Sequence, residues 1–86
     1  MDSQTRIKNN KLKILITGSL GFIGKHLVTE LKNDEKFELL CLTRENEDIS
    51  YLQNLCINHQ TCDLLDKNSI ESYIQKSDLI IHLAAK

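Results

Sequence analysis

Glycine occurs three times in this chain, at Gly18, Gly21 and Gly24, all inside one stretch of seven residues. Proline does not occur at all. The backbone freedom that glycine brings is therefore concentrated at one point. What flanks that point limits the fold further. Before it lies a short apolar run, Leu12-Lys13-Ile14-Leu15-Ile16, whose length and β-branched content suit a buried strand. After it the period changes, and Ile23, Leu27, Val28 and Leu31 share one helical stripe. A strand, a glycine turn and a helix in immediate succession open an α/β unit.

The remaining residues repeat the alternation. Glu38 to Thr43 reads as a second strand and Arg44 to Asp48 as a charged loop. Ile49, Leu52, Leu55 and Cys56 give a weak helical stripe, and His59 to Asp63 a short third strand. Asp66 suits an N-cap, followed by Ile70, Tyr73 and Ile74 at helical spacing. Leu79 to Leu83 is the last strand. The order β-α-β-α-β-α-β implies right-handed crossovers and a parallel, Rossmann-like α/β sheet, with strand order 3-2-1-4 expected. Residues 1–11 read as a flexible polar lead and 12–86 as the folded part.

Composition excludes several classes. Eleven basic residues stand against twelve acidic ones, a net charge of -1, which gives no footprint for nucleic acid. No apolar run is long enough to span a membrane. Met1 to Lys11 has no apolar core of a secretory signal. Cys41, Cys56 and Cys62 form neither a disulfide framework nor a zinc set, so they read as buried, reduced thiols of a cytoplasmic protein. His26 reads as structural and His82 as a packed core residue; no histidine shares metal-ligand spacing with a cysteine or carboxylate.

The chemistry lies in Thr17-Gly18-Ser19-Leu20-Gly21-Phe22-Ile23-Gly24. Gly18 lets the chain turn sharply, Gly21 lets a pyrophosphate approach the backbone, and Gly24 lets the helix lie close to the sheet. The first helical amides, near Phe22 and Ile23, lack intrahelical partners and sit at the positive end of the helix dipole. The plain alternative is a glycine turn kept for packing alone. A P-loop does not fit: Ser19 stands at its first glycine, and His26 stands where its Mg²⁺-binding hydroxyl belongs.

Thr17 to Val28 resembles the opening fingerprint of extended short-chain dehydrogenases/reductases, the NAD-dependent epimerase/dehydratase proteins, many of which act on nucleotide sugars. Cys62-Asp63-Leu64 and Asp78 to Ala85 resemble two later motifs of that family, so the likeness covers about residues 12–86. It implies that Gly18, Gly21, Gly24, Phe22 and Ile23 hold a dinucleotide pyrophosphate. It implies that Asp63 accepts from the adenine amine and the Leu64 amide donates to the ring, while Ala84 and Ala85 line the ribose. A loop-capping Asp63 and a merely packed alanine pair are the plain alternatives.

Thr43 falls where NAD-preferring members carry an acid, and Arg44 follows it. A hydroxyl and a guanidinium suit a 2′-phosphate, which favours NADP over NAD; Arg44 as a solvated charge is the alternative, and Glu45, Glu47 and Asp48 read as a solvated loop. The family's Tyr-x-x-x-Lys acid/base pair is not here: Leu55 follows Tyr51 by four residues, and Ser77 follows Tyr73 by four. The expectation is the amino-terminal half of an NAD(P)-binding domain, inactive alone, with its fourth strand a bare edge and the rest of the enzyme as a partner, in a separate chain. A non-catalytic dinucleotide-binding module or a vestigial truncated protein is the alternative.

Overall fold

The computed structural model describes residues 11–83. Seven elements alternate along them: β1 (Leu12–Thr17), α1 (Phe22–Lys32), β2 (Phe37–Thr43), α2 (Ser50–Asn54), β3 (Asn58–Thr61), α3 (Lys67–Gln75) and β4 (Leu79–His82). The four strands form one parallel sheet in the order β3-β2-β1-β4, the order expected from the sequence.

β1 lies at the centre. Its last four residues are buried, because helices cover both faces and every side chain meets apolar neighbours. Ile14 and Ile16 join Val28 of α1 and Leu52 and Ile57 around α2 in one core. Leu15 points the other way, to Leu42 and Cys62, with Ile70 and Tyr73 of α3 against them. The chain steps from β1 to β2 to β3 in one direction and then crosses back to β4. A constant crossover hand places α3 on the opposite face from α1 and α2 after that reversal. The strand order reverses between β1 and β4, and open α/β sheets take their ligands outside the carboxyl ends of the strands at such a switch point.

Local chemistry accounts for the element ends. Asp66 caps α3, its carboxylate accepting from the Asn68 and Ser69 amides. Asp78 ties β4 to β1 twice: its amide donates to the Lys13 carbonyl and its Oδ2 accepts from the Lys13 amide, both at 2.8 Å. β4 lies at one edge of the described sheet, and its Leu79 and Ile80 are 46% and 43% exposed.

Several sequence expectations need correction. β3 starts at Asn58 and ends at Thr61, so Cys62 and Asp63 follow it rather than belong to it, and β4 ends at His82 rather than Leu83. Ile23 lies on the expected stripe but is 70% exposed, because the first turn of α1 projects past the end of the sheet. Ile74 is likewise exposed on α3, which has no fully buried residue.

Cys56 is exposed, not buried. It takes a left-handed φ of 58° after α2, where its amide donates to the Gln53 carbonyl and the Ile57 amide to that of Leu52. That is a Schellman ending, and it turns Cys56 outward while Ile57 packs beside Leu52. Burial pushes the Cys41 thiol up; burial does the same at Cys62, with the charges of Asp63 and Asp66 adding to it. A raised thiol carries less thiolate at a given pH and reacts more slowly. With Ellman's reagent near pH 8, Cys56 is expected to react at once, and Cys41 and Cys62 only after denaturation. Three equally fast thiols would contradict this packing.

Candidate functional site: the glycine turn and the strand ends beside it

Gly18 leaves β1 with φ 77°, and a Cβ there would stand 2.5 Å from the Leu83 carbonyl oxygen at the end of β4. A Cβ on Gly24 would overlap the Gly18 carbonyl oxygen and come within 2.7 Å of the Ser19 Cα. The fold itself therefore requires both glycines. Gly21 is different. Its φ is -75°, it is exposed, and a Cβ would meet nothing nearer than the Gly18 oxygen at 3.8 Å. Nothing in the packing of the described residues calls for a missing side chain there.

Gly21 is also the N-cap of α1. The Lys25 amide is the first to bond back, to the Gly21 carbonyl at 2.9 Å. The Phe22, Ile23 and Gly24 amides precede it and have no carbonyl a turn behind them. Phe22 and Ile23 are 80% and 70% exposed, and the first turn carries no acidic residue to offset the helix dipole. The turn thus offers uncompensated N–H groups beside a bare Cα.

Strand pairing sets Thr17 against His82. The buried Thr17 hydroxyl lies 2.5 Å from His82 Nδ1, and the Leu83 amide donates to the Thr17 carbonyl at 3.1 Å. The core position expected for His82 is not what the fold gives it. His82 is exposed, because β4 is an edge strand whose last residue reaches over the β1 end.

At the end of β2, Thr43 is buried and its hydroxyl has no partner among the described residues; Ser19 is in the same condition. Thr43 therefore presents no hydroxyl to solvent. Arg44 is 67% exposed at its side chain. Glu47 folds back on it: Oε1 accepts from the Arg44 amide at 2.7 Å, and Oε2 lies 3.8 Å from the guanidinium. The Glu47 amide closes the turn onto the Arg44 carbonyl at 3.2 Å, with Asn46 at φ 75° between them. By sequence Glu47 is one of three acids in a solvated loop. An acid three residues after a strand-end arginine is the signal that it closes such a turn.

Past β3, Asp63 Oδ1 accepts from the Leu65 amide at 3.0 Å, so this carboxylate does cap its own turn. That bond uses one carboxylate oxygen and leaves Oδ2 available. Leu64 is half-buried against the Leu15, Leu42 and Cys62 core. Arg44 and Asp63 face a common cavity of about 630 Å³ between the β2 and β3 ends and α3. The structure thus gathers the glycine turn, Arg44 and Asp63 at the carboxyl end of one sheet. Ala84 and Ala85 lie outside the described residues. No group of three or more His, Cys, Asp or Glu able to hold a metal ion occurs among the described residues, and no described helix is long and apolar enough to cross a membrane.

Known proteins resemble this chain in sequence and in fold. GDP-6-deoxy-D-talose 4-dehydrogenase of Aggregatibacter actinomycetemcomitans is 37% identical over 76 residues, which cover 86% of this chain and 21% of that enzyme. UDP-glucuronic acid 4-epimerase of Bacillus cereus, solved with UDP-glucuronic acid and NAD, superposes with a TM-score of 0.67 at 28% identity, over 86% of this chain and 26% of that one. A nucleoside-diphosphate-sugar epimerase from Pseudomonas aeruginosa has the same fold, with a TM-score of 0.74 at 21% identity, over 84% of this chain and 24% of its own. The chain spans about a fifth to a quarter of the length of these relatives. The family model for NAD dependent epimerase/dehydratase proteins matches residues 14–86. On the strength of that match, with the strand order and the glycine turn agreeing, the chain belongs to the NAD dependent epimerase/dehydratase family.

Proposed function

We propose that residues 12–86 are the amino-terminal half of an NAD(P)-binding domain, and that the glycine turn takes the pyrophosphate of the dinucleotide. The observation that carries this is Gly21, an exposed position where the packing leaves room for a side chain and none is present. A phosphate seated there meets the Phe22 and Ile23 amides at the positive end of α1. Gly18 and Gly24 shape the turn that offers them. In this reading Asp63 Oδ2 accepts from the adenine amine and the Leu64 amide donates to the ring, while Ala84 and Ala85 line the ribose. The group held is NAD or NADP, and the choice falls to the turn after β2.

The bound dinucleotide supplies hydride transfer, and this chain's residues bind and orient it. Its two tyrosines do not supply the acid/base step. The Tyr51 hydroxyl is engaged between α1 and α2 by Thr29 Oγ1 at 2.5 Å and the Lys25 carbonyl at 3.4 Å. Tyr73 packs on α3 against the sheet. Neither has a lysine four residues on. We therefore infer binding without turnover by this chain, with a nucleotide sugar as the substrate class of the complete enzyme and its remaining part as the partner, in one chain or two. Three unpaired thiols support a reducing compartment, the cytoplasm.

The test is a fluorescence titration of the 86-residue chain with NADH. Saturable binding displaced by ADP is expected; no binding up to about 1 mM, a free energy of about -4 kcal/mol, would end the proposal.

A further inference from the structure

We infer that Glu47 sets the choice of cofactor, and that it selects the ribose diol of NAD against the 2′-phosphate of NADP. This rests on the dinucleotide reading of the same site. Thr43, at the strand-end position, has its hydroxyl sealed from solvent and offers the ribose nothing. A 2′-phosphate at the β2 end would need the Arg44 amide and the Arg44 guanidinium as donors. Both already face one carboxylate, the amide at 2.7 Å from Oε1 and the guanidinium at 3.8 Å from Oε2.

Backbone geometry keeps that carboxylate in place. The turn is closed by the Glu47 amide on the Arg44 carbonyl, and the left-handed Asn46 brings the chain back over the strand end. The loop around it is predominantly acidic, with Lys25 near enough to act on Asp48. Between Arg44 and Asp48 a single cation stands among Glu45, Glu47 and Asp48, and Asp48 is held below the usual carboxylate range by hydrogen bonds from Ser50. A phosphate monoester brings nearly two further negative charges near neutral pH. A diol brings two hydroxyl donors, and an ionised carboxylate only accepts. Arg44 thus sits where a phosphate-reading arginine would, yet its charge is already answered.

The experiment measures NADH and NADPH binding to the 86-residue chain and to its Glu47→Gln, Glu47→Ala, Arg44→Ala and Glu47→Gln/Arg44→Ala variants, with circular dichroism of each. The wild type is expected to bind NADH more tightly than NADPH. Glu47→Gln should shift the NADPH-to-NADH affinity ratio about tenfold toward NADPH, by removing a repulsive charge and freeing Arg44. Adding Arg44→Ala should cancel the part of that gain that the freed guanidinium provides. A wild type that prefers NADPH, or a ratio unchanged within about twofold in both Glu47 variants, overturns this inference and leaves the dinucleotide reading standing. A wild type that binds neither nucleotide overturns both.

Discussion

Gly24→Ala is expected to cost this chain much of its fold, while Gly21→Ala leaves the fold intact and removes most of the NADH binding. The difference follows from what each new methyl group meets. At Gly24 it overlaps the carbonyl oxygen of Gly18 and crowds the Ser19 backbone, groups that move only if the turn opens. Overpacking against side chains costs about 1–3 kcal/mol, and a backbone obstacle puts Gly24→Ala at or above the top of that range. At Gly21 the methyl meets nothing nearer than 3.8 Å, and φ is -75°, which any residue adopts. Its effect on stability should stay within about 0.5 kcal/mol. A dinucleotide phosphate that needs the bare Cα would meet that methyl directly, so NADH affinity should fall at least about tenfold, or about 1.4 kcal/mol. Thermal unfolding by circular dichroism reads the first effect and NADH titration the second. A Gly21→Ala chain that binds NADH like the wild type would mean that phosphate approach does not require glycine at that position.

The second large effect is expected at Leu15. It lies fully buried on the central strand and anchors the thinner face of the sheet, where among the described residues only Leu42 and Cys62 join it in the buried apolar cluster. α3 covers that face without a fully buried residue of its own. Truncating a buried leucine to alanine costs about 2–5 kcal/mol through lost transfer energy and the cavity left behind. A domain of this size has about 4–13 kcal/mol in total at typical values per residue. The exposed apolar residues of β4 put this chain toward the lower end. Leu15→Ala should therefore erase or greatly broaden the cooperative thermal transition. A sharp transition shifted by only a few degrees would mean that the α3 face contributes little, and that the α1 and α2 face carries the fold alone.

Much of this architecture is legible in the chain itself, and for a local reason. Strand and helix periods are written in neighbouring residues. The change of period from Leu12–Ile16 to Ile23–Leu31 marks β1 and α1 without reference to the rest of the chain. The glycine turn stands at their junction, and alternation alone implies a parallel sheet in the order found. The Asp66 cap is readable too, because its partners lie two and three residues away.

What the sequence by itself determined, then, is the order of the elements, the place of the glycine turn and the apolar character of β1. Each depends on residues adjacent in the chain. Tertiary structure decided which side chains have a neighbour across a gap. It left Ile23 in solvent past the sheet end, brought the edge residue His82 to Thr17, turned Cys56 outward after α2 and sealed the Thr43 hydroxyl. It also folded Glu47 onto Arg44, which answers a charge that the sequence leaves open to a phosphate. Burial and charge pairing are set by distances in space, and a one-dimensional pattern carries those only where the backbone between the partners is regular.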